Sequence, residues 1–221
     1  EGLRFDRFYA AAAVCSPTRA SVLTGRHPYR MRIDGANSGH LPLNEYTVAE
    51  MCHELGYTTG HFGKWHLGTL TREVIDSNRG GRPKQAQHYS PPWEHGFDRC
   101  FSTEAKVPTW DPMLSPENGK PYGTRYWNEK GEVVTENLEG DDSRIIMDRA
   151  LPFITTAVDD GRPFLAVIWL HAPHRPVVAG PGREKDYADT EGEDLRRYYA
   201  VVAAIDASVA RLREHLQGLN V

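Results

Sequence analysis

Cys15-Ser16-Pro17-Thr18-Arg19 sets a sulfur at the start of a helix and a guanidinium one turn further on. Unpaired backbone N–H groups and the helix dipole favour negative charge at such a start, and residues four apart share a helix face. These five residues therefore suit an anion site that would also stabilise a thiolate. A small buried cysteine beside a surface arginine suits them as well. A second group is Gly63-Lys64-Trp65-His66-Leu67-Gly68. In an extended segment Lys64 and His66 point to one face and Trp65 to the other. They would bring a point charge for an oxyanion and a proton donor or acceptor near neutral pH; the alternative is a solvent-facing lysine and a structural histidine. His171 and His174 follow an apolar run. Either could act as a general acid or be structural, and their spacing beside Pro173 and Pro176 is poor for a metal pair.

Placing these groups requires particular elements. Pro17 suits the opening of a short helix that Gly25 stops. Thr47 and Glu50 form a capping box before Val48, Met51, Cys52 and Leu55, with Gly56 as the stop and Cys52 on the buried face. Tyr57 to Phe62 reads as a strand, after which Gly63 opens a loop or strand end. Residues 69–140 turn to Gly, Pro, Asn and charge, with short strand candidates such as Glu132 to Thr135, and are expected to form a loop-rich insertion over the site. Asp142 to Val158 resumes helical spacing, kinked or split by Pro152, and Asp141-Asp142 is a favourable helix start. The continuous apolar run Pro163 to Leu170 predicts a central strand buried on both faces. Glu193 to Leu216 carries Tyr198, Val201, Val202, Ile205, Val209, Leu212 and Leu216 at helical spacing, an amphipathic helix. Helices alternating with strands predict an α/β fold with its function at strand ends.

Composition narrows the classes. The 221 residues, 39% hydrophobic and 25% charged, exclude a disordered tail or a coiled coil and suit a single domain. With 26 Lys plus Arg against 30 Asp plus Glu, the net charge of −4 supplies no positive field for nucleic acid. No stretch of about 18 apolar residues could span a bilayer, and Glu1-Gly2-Leu3-Arg4 lacks the apolar core of a signal peptide. Three cysteines without a CxxC spacing exclude a disulfide framework and a zinc ribbon built from Cys alone. The chain opens without Met and stops straight after a helical pattern, so both ends are expected to be cuts and the chain a fragment.

Cys15-Ser16-Pro17-Thr18-Arg19, continuing through Ala20-Ser21-Val22-Leu23-Thr24-Gly25-Arg26, resembles the C-x-P-x-R signature of the type I, formylglycine-dependent sulfatases. Gly56-Tyr57-Thr58-Thr59 through Gly63-Lys64-Trp65-His66-Leu67-Gly68 resembles their second signature, and His95-Gly96-Phe97-Asp98 and Pro163 through Pro176 extend the likeness. The resemblance implies an alkaline-phosphatase-like α/β/α sandwich with a mainly parallel, mixed sheet, incomplete at both ends. It implies that a separate maturation enzyme converts Cys15 to formylglycine. One hydroxyl of the hydrated aldehyde then attacks sulfur, and loss of the other hydroxyl's proton expels sulfate. By the same resemblance Arg19 steadies the hydrate, Lys64 contacts the hydrate and the sulfate, and His66 takes the proton. His174 binds sulfate and protonates the leaving oxygen, while His171 has a supporting role. A divalent cation, calcium by family habit, would bind the side chain at Cys15, its carboxylate ligands lying upstream of Glu1 and downstream of Val221.

The expected activity is hydrolysis of an aryl or carbohydrate sulfate ester. Hydrolysis of phosphonate or phosphate esters within the same superfamily, and a non-catalytic anion-binding fragment, are the alternatives. Trp93, Trp110, Tyr122, Tyr126 and Trp127 could stack on a sugar ring or pack their loops. The implied partners are a sulfated small molecule or carbohydrate and the maturation enzyme, and the implied compartment is periplasmic, secreted or lysosomal.

Overall fold

The computed structural model describes residues 3–74 and 85–221. Glu1, Gly2 and the stretch 75–84 of the expected insertion lie outside the described residues. Helices α1 (Cys15–Thr24) and α2 (Val48–Glu54) precede strand β1 (Thr58–Lys64). Strands β2 (Arg99–Thr103), β3 (Tyr126–Asn128) and β4 (Val133–Val134) follow, then α3 (Asp142–Asp159), β5 (Phe164–Trp169) and α4 (Glu193–Leu219). The described strands form one sheet in the order β4-β3-β2-β1-β5. β1 pairs parallel with both β2 and β5, and β3 and β4 add antiparallel partners at one side.

Period-two alternation in β5 sorts its side chains between two cores. Leu165, Val167 and Trp169 pack with Ala20 and Leu23 of α1 and Ala49 of α2. Phe164, Ala166 and Ile168 pack with Ile145, Ile146, Phe153 and Ile154 of α3 and with Leu212 and Leu216 of α4. The result is an α/β/α layering of the expected class. The capping box of α2 is present in both directions, Thr47 Oγ1 accepting from Glu50 N and Glu50 accepting from Thr47 N.

Several local expectations change. β5 has apolar side chains on both faces, but among the described residues it is the edge strand and is only half-buried; β1 is the central one. β1 runs on through Gly63 and ends at Lys64, one residue past the expected loop or strand end. The span expected to be loop-rich contributes β2 and β3 besides β4, which falls on the strand candidate Glu132 to Thr135. α3 continues through Pro152 without a split, while Cys52 is half-buried between the exposed Met51 and His53, on the less exposed side of α2 as expected. On α4, Val201 is buried, whereas Tyr198, Val202 and Val209 stay exposed.

Candidate active site

α1 begins at Cys15. The residue before it, Val14, is extended at φ −137° and offers no side-chain cap, and Gly25 in the left-handed conformation ends the helix at φ 66°. Successive residues of the first turn are tied to the end of β1. Lys64 Nζ donates to Cys15 Sγ at 3.3 Å. Ser16 Oγ donates to the His66 carbonyl at 2.7 Å. Arg19 Nη1 donates to the Lys64 carbonyl at 2.6 Å, with its guanidinium 4.7 Å from the centre of the Trp169 ring. Gly63 makes this close meeting possible: it adopts φ +105°, and a Cβ there would collide with the Trp169 carbonyl oxygen of β5.

Burial sets the electrostatics. Arg19 is pushed down to about 10 by desolvation, with negative charge at Cys15 and Glu104 working in the other direction. Desolvation lowers Lys64 as well, opposed by Cys15 and Glu104 and reinforced by Arg19. Both cations are thus costlier to keep charged than in water, and an anion entering beside them relieves part of that cost. Glu104, one residue beyond β2 and 1% exposed, is the carboxylate that acts on both. It escaped the sequence reading because β2 did, and only the register Lys64↔Thr103 brings it to this end of the sheet.

His66 does not continue an extended strand. It takes φ +56°, so the simple alternation expected to align it with Lys64 fails, and the bond from Ser16 to its carbonyl ties its backbone to the start of α1 instead. Its Nε2 lies 2.7 Å from Asn37 Oδ1. His174 is exposed, and its Nδ1 donates to the Arg175 carbonyl at 2.7 Å. Desolvation lowers its pKa below the ordinary 6.5, the Arg175 carbonyl opposes, and positive charge at Lys64, Lys106 and His171 lowers it further. His174 makes no direct hydrogen bond to Cys15, Arg19 or Lys64; its link to Lys64 is electrostatic. His171 is sealed below this surface, between Asp142 of α3 and Thr103 of β2, where it cannot meet a substrate. A hollow of about 730 Å³, lined by Cys15, Thr18, Arg19, Trp169 and Leu170, opens beside position 15.

The donor set falls short of a cation site. Among the described residues no three His, Cys, Asp or Glu side chains come together as metal ligands. Asp141 instead caps α3 by accepting from Arg144 N at 2.9 Å, and Asp142 is buried against His171 and Tyr126. Nor is any helix among the described residues long and apolar enough to cross a membrane.

The sulfatase family model matches residues 1–220. N-acetylgalactosamine-6-sulfatase of Rattus norvegicus is 32% identical over 241 residues, covering 100% of this chain and 41% of its own length. Arylsulfatase G of Canis lupus familiaris is 53% identical, covering 97% of this chain and 40% of its own length. The chain therefore spans about two fifths of these curated relatives. The solved structure of Ps i-CgsB with k-i-k-neocarrahexaose superposes with a TM-score of 0.75 at 24% identity, over 96% of this chain and 46% of that one. The fold is accordingly the alkaline-phosphatase-like α/β type.

Proposed function

The chain belongs to the sulfatase family, and from that premise we propose that it carries the nucleophile and anion-holding half of a site that hydrolyses an aryl or carbohydrate sulfate ester. The observation that supports this most is the meeting of Lys64 Nζ with Cys15 Sγ at 3.3 Å while Arg19 holds the Lys64 carbonyl. A half-buried residue at a helix start, flanked by two desolvated cations, suits a side chain that must carry oxygen nucleophiles and hold a sulfuryl group. Cys15 matured to formylglycine would supply a hydrated carbonyl there, one hydroxyl to attack and one to lose a proton.

The chain's own residues divide the remaining work. Arg19, fixed by its bond to the Lys64 carbonyl and by the Trp169 ring, holds the hydrate's oxygens in place. Lys64 offsets charge on the sulfate oxygens in a setting where water screens it poorly. His66, tethered beside position 15, takes the proton that permits sulfate release, and His174 gives one to the leaving oxygen. In this reading the side chain at position 15 is what the described residues contribute to a divalent-cation site, calcium by the family resemblance. The described residues do not complete such a site, and no step here is routed through it.

The substrate class follows from the relatives. N-acetylgalactosamine-6-sulfatase is named for a sulfated sugar and arylsulfatase G for aryl sulfates. A sulfated carbohydrate or small molecule is the proposed ligand, with a maturation enzyme as the chain's other partner and a periplasmic, secreted or lysosomal setting. Two measurements test the proposal. Mass spectrometry of the Cys15 peptide, from a host competent for maturation, is expected to show a loss of about 18 Da. Parallel assays of the full-length protein are expected to favour an aryl sulfate over the matching phosphonate ester; faster phosphonate turnover, or an unmodified thiol in active protein, would overturn it.

A pH dependence follows as well. His174 must be protonated to donate, and its pKa lies below 6.5, so kcat/KM is expected to fall as pH rises through that lowered value. His174→Gln is expected to remove this limb of the profile and slow turnover by roughly a hundredfold. A variant that keeps the same falling limb would assign the proton to another group.

A further inference from the structure

Asn37 is exposed at the surface, yet its side chain turns inward to the His66 ring, with Oδ1 2.7 Å from Nε2. An amide oxygen can only accept, so the ring nitrogen facing it carries the hydrogen. We infer that Asn37 is a positioning residue for His66: it holds the imidazole as the Nε2–H tautomer and thereby makes Nδ1 the atom that receives a proton in the reaction.

The backbone on both sides supports this assignment. Asn37 has φ +64° and His66 φ +56°, both left-handed. Asparagine and histidine enter that region more readily than most side chains, but it remains an uncommon and costly conformation for any residue with a Cβ. Strain of this kind persists only where the surroundings over-determine it. Here the surroundings are visible. Ser16 Oγ fixes the His66 carbonyl from α1 at 2.7 Å, and Asn37 fixes the ring from the opposite end. The turn that presents Asn37 is closed on itself: Ser38 N donates to the Gly35 carbonyl at 3.2 Å, and Gly39, at φ +62°, sits so close to the Arg32 carbonyl oxygen that a Cβ would be 2.7 Å from it. His66 is therefore held at its backbone by the helix that bears position 15 and at its ring by a tight surface turn. Asn37 makes no contact with Cys15, Arg19 or Lys64 among its hydrogen bonds, so its effect on chemistry must pass through His66.

This inference rests on the reading of His66 as the proton acceptor, and the experiment separates the two. In protein labelled with nitrogen-15 and carbon-13 at histidine, His66 is expected to give the shifts of the Nε2–H tautomer. Asn37→Ala is expected to bring in signals of the Nδ1–H form and to lower kcat about tenfold with little change in KM for an aryl sulfate. Asn37→Asp keeps an acceptor at the same place and is expected to restore both the tautomer and most of kcat. A wild-type His66 protonated at Nδ1, or an Asn37→Ala variant with unchanged tautomer and unchanged kcat, would overturn the role of Asn37. Full turnover in His66→Ala, alongside the expected tautomer shifts, would instead remove His66 as the acceptor and with it any catalytic meaning of the pair.

Discussion

Cys15→Ala is expected to abolish turnover of sulfate esters, a fall of at least about 10⁴-fold in kcat, while leaving the fold in place. The size of the effect follows from the proposed chemistry, because a methyl group can neither attack sulfur nor be matured to a hydrated carbonyl. The small structural cost follows from the position. Residue 15 is the first of α1, is half-buried, and its side chain's hydrogen bond is the long one from Lys64 Nζ at 3.3 Å. Alanine has the best helix propensity, so a stability change within about 1 kcal/mol is expected. Arg19 and Lys64 remain, and the variant should still bind inorganic sulfate within a few-fold of the parent. Turnover within tenfold of the parent would end the assignment of position 15 as nucleophile. Loss of both turnover and folding would mean that the residue serves packing.

How much of this was legible beforehand depends on whether the determinant was local. The cap of α2 and the glycine stop of α1 are written within a few residues, and sequence spacing found them; the spacing in α4 gave the helix but not which of its apolar residues are covered. The groups at positions 15 and 64 were equally visible, because each lies at an element boundary that local rules mark, and Arg19 follows one turn on from Cys15. β2 was not. Arg99–Thr103 has neither alternation nor flanking turn signals strong enough to stand out, and it becomes a strand because β1 and β3 pair with its two edges. The apolar run of β5 reported which faces are covered and said nothing about its edges, and among the described residues only β1 pairs with it. The turn of His66 to φ +56° is not encoded by histidine; Ser16, fifty residues earlier in the chain, holds it there.

Asp142 and His171 give the sharpest case of a role that spacing cannot reveal, and the second large expected effect. As a sequence, Asp142 was a helix-opening acid and His171 a candidate supporter of catalysis. In the fold both side chains are completely shielded from water, with His171 Nδ1 2.7 Å from Asp142 Oδ2. Tyr126, whose phenol burial and the Asp142 charge keep protonated, donates to the other carboxylate oxygen. His171 Nε2 lies 2.6 Å from Thr103 Oγ1, which is also 3.0 Å from the Ala105 carbonyl. Thr103 has one hydroxyl proton for these two neighbours, so it serves either a neutral ring or the carbonyl beneath a doubly protonated one. In both arrangements the network joins α3, β2, β3 and the exit of β5, three residues before His174.

Removing one member strands the others without solvent. His171→Ala leaves the Asp142 carboxylate with Tyr126 alone and Thr103 facing a cavity, and breaking a buried pair in this way costs about 3–5 kcal/mol. For a chain of this size that corresponds to a fall in Tm of roughly 10 °C. Thr103→Val, which removes a neutral hydroxyl, should cost only about 1–2 kcal/mol. At a temperature where His171→Ala remains folded, kcat should stay within a few-fold of the parent, because the ring has no path to the substrate. An unchanged Tm would show that the network is not a stabilising one, and a hundredfold loss of kcat in fully folded protein would move His171 from support into the reaction itself.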